Sequence, residues 1–144
     1  MRHEDPRVQR VIVLFEQLQP ADLDRLHEVY DPQASFKDPF NEVQGIPAIR
    51  GIFEHMFASL HEPRFVVREA IVQGEHAFLS WEFHFRMKRF SAEPQCIRGG
   101  TQLRFGHDGR VTVHRDYWDA AEELYEKLPV LGALMRWLKH RART

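Results

Sequence analysis

An α+β roll is the fold this sequence predicts, and three patterns predict it. Apolar residues recur at helical spacing through the first sixty positions, alternate strictly from residue 77 to 87, and return to helical spacing after residue 119. A length of 144 residues with 43% hydrophobic content supports one domain with a real core and is too short for two ordinary ones.

Each element can be justified in order. Val8, Val11, Ile12, Phe15 and Leu18 mark one buried face of a first helix, which Gln19-Pro20 stops. Asp22 and Asp24 suit the positive end of a second helix burying Leu23, Leu26 and Tyr30, and Asp31-Pro32 breaks it. Ala34-Ser35-Phe36 reads as a short first strand. Pro47 opens a third helix that aligns Ile49, Ile52, Phe53, Met56 and Leu60.

The period then changes from helical to extended. Residues 64–73 are rich in β-branched side chains and end at a Gly74-Glu75 hairpin signal. Ala77, Leu79, Trp81, Phe83, Phe85 and Met87 form one apolar face of a long antiparallel strand. Ser80, Glu82, His84 and Arg86 fall on the other face, as solvent or interface residues. Ser91 to Pro94 turns the chain, and 95–105 is a further strand in which Gly99-Gly100 suggests a bulge or bend. The last strand is 110–118, reached through the turn His107-Asp108-Gly109. Asp119-Ala120-Ala121-Glu122 has the form of a capping box opening a C-terminal helical extension over 119–144. Pro129 divides that extension, and Leu131, Leu134, Met135 and Leu138 give it an apolar stripe.

Composition excludes several functions. Twenty Lys and Arg nearly balance 21 Asp and Glu, so nothing global favours nucleic acid or a strongly acidic partner, and no nucleic acid is expected. The single Cys96 forbids an intrachain disulfide and fits a reducing compartment. No apolar run is long enough for a bilayer and the N-terminus lacks a signal peptide's hydrophobic region, so a cytoplasmic protein is expected. The basic end of the tail (Arg136, Lys139, His140, Arg141, Arg143) could serve an interfacial membrane helix. A helix docked on the pocket mouth is the more ordinary reading, and membrane contact is not expected.

The stretch Lys37-Asp38-Pro39-Phe40 carries the functional signal. It follows the strand Ala34-Ser35-Phe36 and precedes the helix opened by Gly45-Ile46-Pro47. This arrangement resembles the SnoaL-like and ketosteroid isomerase-like members of the nuclear transport factor 2-like superfamily, with matching element order over residues 5–119. The resemblance implies a cone-shaped roll in which a curved antiparallel sheet wraps around three N-terminal helices. It also implies a single SnoaL-like domain over 1–144.

Asp38 matches the general base of the ketosteroid isomerases, where apolar walls and a nearby negative charge raise a carboxyl pKa toward neutrality. Read without the family, Asp38-Pro39 is a turn former. The isomerases' oxyanion donors, a tyrosine and a protonated aspartic acid, correspond here to Leu14 and Thr101. Steroid isomerisation by that machinery is therefore not expected. Asp116 matches the acid/base aspartate of SnoaL-type polyketide cyclases. With His114 and Trp118 it shares one face of the last strand. The alternatives are an ion pair with an arginine for Asp116 and a core hydrogen bond for His114.

Phe36, Phe53, Phe57, Trp81, Phe83, Thr101 and Trp118 are the expected pocket residues. A lone His114-x-Asp116 lacks a third metal ligand at a recognisable spacing, so no metal site is expected. Cys96 shows no partner in the sequence, and no phosphate-cradling glycine loop or other cofactor motif is present. The expectation is cofactor-free proton-transfer chemistry (isomerase, cyclase or dehydratase type) on a small apolar, carbonyl-bearing substrate, by a homodimer. A non-catalytic ligand-binding or interaction module of the same fold is the alternative.

Overall fold

A computed structural model describes residues 1–89, 93–123 and 140. Helix α1 (Pro6–Gln17) is capped by Asp5, whose side chain accepts a hydrogen bond from the Arg7 amide. It buries Val8, Val11, Ile12 and Phe15 and packs on the sheet at β3 (Leu60–Gln73). A 3₁₀ helix (Pro20–Glu28) follows, with the backbone leaving helical geometry at Arg25. Strands β1 (Tyr30–Lys37) and β2 (Glu42–Gln44) lead into helix α2 (Ile46–Ser59), and then come β3, β4 (His76–Met87), β5 (Gln95–Phe105) and β6 (Val111–Tyr117). A short helix α3 (Ala120–Glu123) is capped by Asp119, which accepts from the Glu122 amide.

The six strands form one curved, unclosed sheet in the order β2-β1-β6-β5-β4-β3. The alternation over residues 77–87 appears as expected, with Ala77, Leu79, Trp81 and Phe85 buried. A one-residue slip would turn all of these to solvent, so the register is strongly specified.

Three local expectations need correction. Tyr30 begins β1 instead of ending a helix, and Asp31-Pro32 lies inside that strand. The β1–β6 register shifts between Tyr30 and Ser35, and this irregular stretch tolerates a residue without an amide hydrogen. The β1–β6 pair is parallel, which local patterning gives no means of seeing. Gly99-Gly100 makes no bulge, because the β4–β5 ladder runs unbroken through both. A methyl group on Gly99 would lie 2.6 Å from Trp81 Cη2 and 2.8 Å from the Tyr117 carbonyl oxygen, and one on Gly100 would enter the Phe78 ring. The pair leaves room for aromatic rings on both faces of the sheet. Leu131, Leu134, Met135 and Leu138 of the tail lie outside the described residues, as do Ser91 and Ala92 of the expected turn.

Candidate functional site

The concave face of the sheet and helix α2 enclose a cavity of about 320 Å³. Its wall is largely aromatic and aliphatic, with Phe36, Phe53, Trp81, Phe83 and Trp118 among the expected residues and Phe40, Phe65 and Phe85 in addition. Phe65, Phe83 and Phe85 stack in series with centroids 4.5 and 5.1 Å apart, and Phe40 meets Trp118 edge-on at 5.5 Å. Two carboxylates, Asp38 and Asp116, reach this wall. A second, more polar depression of about 300 Å³ between α1 and the 3₁₀ helix contains neither of them.

Asp116 is fixed from behind. On β6 it alternates with Arg115 and Tyr117 and so shares the inner face with His114. Its Oδ1 accepts from the Thr101 hydroxyl at 2.6 Å and from His114 Nε2 at 2.7 Å. Thr101 in turn accepts from the Trp81 indole N–H at 2.8 Å. The Tyr30 hydroxyl lies 2.8 Å from His114 Nδ1.

Burial decides where the protons sit. Tyr30, Thr101 and His114 are 1%, 0% and 2% exposed. Tyr30 has no other hydrogen-bond partner among the described residues, so its O–H is satisfied only by donating to Nδ1. His114 is then neutral with its proton on Nε2, aimed at Asp116. Burial, and secondarily the negative charge of Asp116, raise the Tyr30 phenol well above its ordinary value, which keeps it a donor. Phe36 packs on the imidazole with ring centroids 4.3 Å apart. The chain Trp81–Thr101–Asp116–His114–Tyr30 thus satisfies one carboxylate oxygen twice. It leaves Oδ2 without a partner among the described residues, on a side chain 16% exposed.

Asp38 is held differently. Its Oδ1 accepts from the backbone amides of Phe40 (2.8 Å) and Asn41 (2.6 Å) and from the Asn41 side-chain amide (3.1 Å). The Asn41 amide also reaches Oδ2 at 3.2 Å. Asp38 therefore organises the loop between β1 and β2 while standing at the cavity wall.

Three expected residues stand elsewhere. His114 lies behind Asp116 and does not line the cavity. Thr101 has its hydroxyl engaged between Trp81 and Asp116. Phe57 is one step around α2 from the lining residues Phe53 and Met56, and packs at the edge of the core. Among the described residues Asp116 has no arginine partner. Tyr30 was missed because the run from Asp22 reads as helix up to Asp31-Pro32. Its register position across from β6 has no local signal. His55 and Ser59, on the cavity side of α2, were also not anticipated.

A protein of ketosteroid isomerase-like fold from Catenulispora acidiphila, crystallised with trimethylamine, is 18% identical. It superposes with a TM-score of 0.74, covering 88% of this chain and 96% of that one. An NTF2-like protein of unknown function from Burkholderia pseudomallei is also 18% identical, with a TM-score of 0.71 over 81% and 92% of the two chains. A protein from Jannaschia sp., described as a SnoaL-like polyketide cyclase, gives 0.71 at 18% identity over 85% and 94%. At this identity the likeness concerns the fold. No curated protein sequence matches. The SnoaL-like domain profile matches residues 11–114, from the middle of α1 to the histidine behind Asp116, and the chain belongs to the SnoaL-like domain family.

Proposed function

We propose that this chain is a small-molecule enzyme performing cofactor-free proton transfer on an apolar, carbonyl-bearing substrate, with Asp116 as the proton acceptor. The observation that carries this reading is the Oδ2 of Asp116, unpartnered among the described residues at an aromatic cavity, with Oδ1 held by Thr101 and His114. A base gains from this because its position is set before substrate arrives. His114 and Tyr30 act as positioning residues, and Asp38 is the second carboxylate, available to return or relay a proton. Isomerisation, cyclisation and dehydration all require such a step.

A binding role without chemistry is the second reading. The three donors on Asp38 Oδ1 favour it, since they suit a loop former better than a base.

Proton–deuterium exchange at the activated carbon of 2-tetralone, an apolar ketone probe, separates the two. Asp116→Asn keeps an oxygen to accept from Thr101 and His114, so the fold and probe affinity (within about tenfold) are retained. The exchange rate should fall by about 100-fold or more, the usual worth of a general base. Wild-type protein that binds the ketone without accelerating exchange supports the binding module.

The same reading includes one SnoaL-like domain over 1–144 acting as a homodimer through the outer sheet face. Exposed Ile71, Phe78 and Tyr117 (65%, 41% and 43%) lie on that face, and Ile71 pairs with Phe78 across the β3–β4 ladder. No helix among the described residues is long and apolar enough to cross a membrane.

A further inference from the structure

We propose that Glu82, His84 and Cys96 form a binding site for a zinc-type divalent metal ion on the outer face of the sheet. The β4–β5 register pairs His84 with Cys96, and Glu82 is two residues from His84 on the same face. One atom from each residue, a carboxylate oxygen, an imidazole nitrogen and the sulfur, lies within 4.8 Å of the other two. His84 Nε2 is 3.0 Å from Glu82 Oε1 and 4.0 Å from Cys96 Sγ, so one ring atom addresses both neighbours.

The geometry is near that of an occupied site. Ligands at about 2.0–2.3 Å from a tetrahedral zinc stand roughly 3.3–3.6 Å from one another. The nitrogen–oxygen pair must open by a few tenths of an ångström and the nitrogen–sulfur pair close by about as much. Rotamer adjustments on two strands of a rigid sheet supply that movement.

The donor chemistry selects the ion. Thiolate, imidazole and carboxylate together suit zinc and its neighbours in the first transition row, and not magnesium or calcium. Three protein ligands leave a fourth position for water.

Arg64, Arg68 and Arg98 are charged neighbours of the site, with Arg64 directly across from His84 in the β3–β4 register. Arg68 Nε and Nη2 each donate at 3.0 Å to the two Glu82 oxygens, fixing the carboxylate beside the histidine. Arg98, opposite Glu82 on β5, is engaged with Glu123 at 3.1 Å. The positive charge of these arginines opposes that of the metal, and solvent around their exposed side chains screens it. Binding replaces the thiol proton: the S–H bond breaks, a sulfur–metal bond forms, and one proton passes to buffer. The site is independent of the cavity, which lies on the opposite face.

Cobalt(II) titration of the reduced, metal-free protein tests this. The expected result is one equivalent bound, with a thiolate-to-cobalt charge-transfer band in the near ultraviolet and intense visible bands of tetrahedral cobalt. Zinc should bleach both, and calorimetry in two buffers should show release of about one proton per ion. Cys96→Ser should remove the charge-transfer band, and His84→Ala should weaken binding by more than about tenfold. Asp116→Asn, on the far face, should leave both unchanged. Absence of the charge-transfer band in the wild type, or its persistence in Cys96→Ser, would overturn the site.

Discussion

Tyr30→Phe removes one oxygen from the interior and should reveal what the hydrogen-bond chain contributes. In the native protein that hydroxyl serves His114 Nδ1 at 2.8 Å, with both residues almost wholly shut from water. Phenylalanine keeps the ring, so no cavity beyond a single oxygen is created. What remains is a buried ring nitrogen with a lone pair and no donor, a loss of about 1–3 kcal/mol. His114 cannot escape by moving its proton to Nδ1, because its Nε2 lone pair would then face the Asp116 oxygen it now donates to at 2.7 Å.

We therefore expect about 2 kcal/mol lower stability by urea denaturation at neutral pH. The nitrogen-15 shifts of His114 should still show the Nε2–H tautomer. The alkaline limb gives a second reading. The Tyr30 phenol is raised above its ordinary 10.0 in the folded state, so above that pH the native protein holds a proton that the unfolded chain has lost. Stability should fall with rising pH beyond 10, by about 1.4 kcal/mol per unit for this group, and that component should be missing in Tyr30→Phe. A loss below about 0.5 kcal/mol would falsify the claim that this hydroxyl is the donor to a buried, otherwise unpartnered nitrogen.

Other substitutions probe the frame around the site. Gly99→Ala would push a methyl group against Trp81 and the Tyr117 carbonyl and should destabilise by about 1–3 kcal/mol; unchanged melting would show that the strands yield there. Ser80 Oγ is buried with no hydrogen-bond partner among the described residues, so Ser80→Ala should leave stability unchanged or raise it by up to about 1 kcal/mol in thermal melts. Asp5→Ala should remove the α1 cap and lower stability by about 1 kcal/mol at neutral pH. The Asp5 carboxyl is lowered from 3.8 to about 2, chiefly by its hydrogen bonds with the Arg7 side chain. Its advantage is complete above 3.8 and disappears as pH falls toward 2, so the mutant and wild-type acid curves should converge there.

The sequence was most legible where one period dominated. The face from Ala77 to Met87 and the α1 stripe from Val8 to Phe15 could be read directly, because burial and period coincide in them. The pairing of His114 with Asp116 followed from alternation alone. Tyr30 did not, since helix-like spacing before Asp31-Pro32 hid a strand whose partner is distant in the chain. Asp38 was legible as a turn and as a wall residue together, and the structure keeps both properties. The neighbours of Cys96 depend on the β4–β5 register, which no local pattern fixes.

Tyr30 and His114 lie 84 positions apart, and the parallel β1–β6 contact that joins them has an outcome for how the protein is made. Closing a loop of that length has an entropy penalty of about 4 kcal/mol before any contact within it is rewarded. The strand carrying His114 and Asp116 is also the last of the six to leave the ribosome. Helix α1 and the β3–β4 hairpin can be complete while Tyr30 still waits for its partner. The Asp116 end of the cavity is thus the last part assembled, and incomplete chains ending before residue 111 would carry Asp38 and most of the aromatic wall without Asp116 and the histidine behind it.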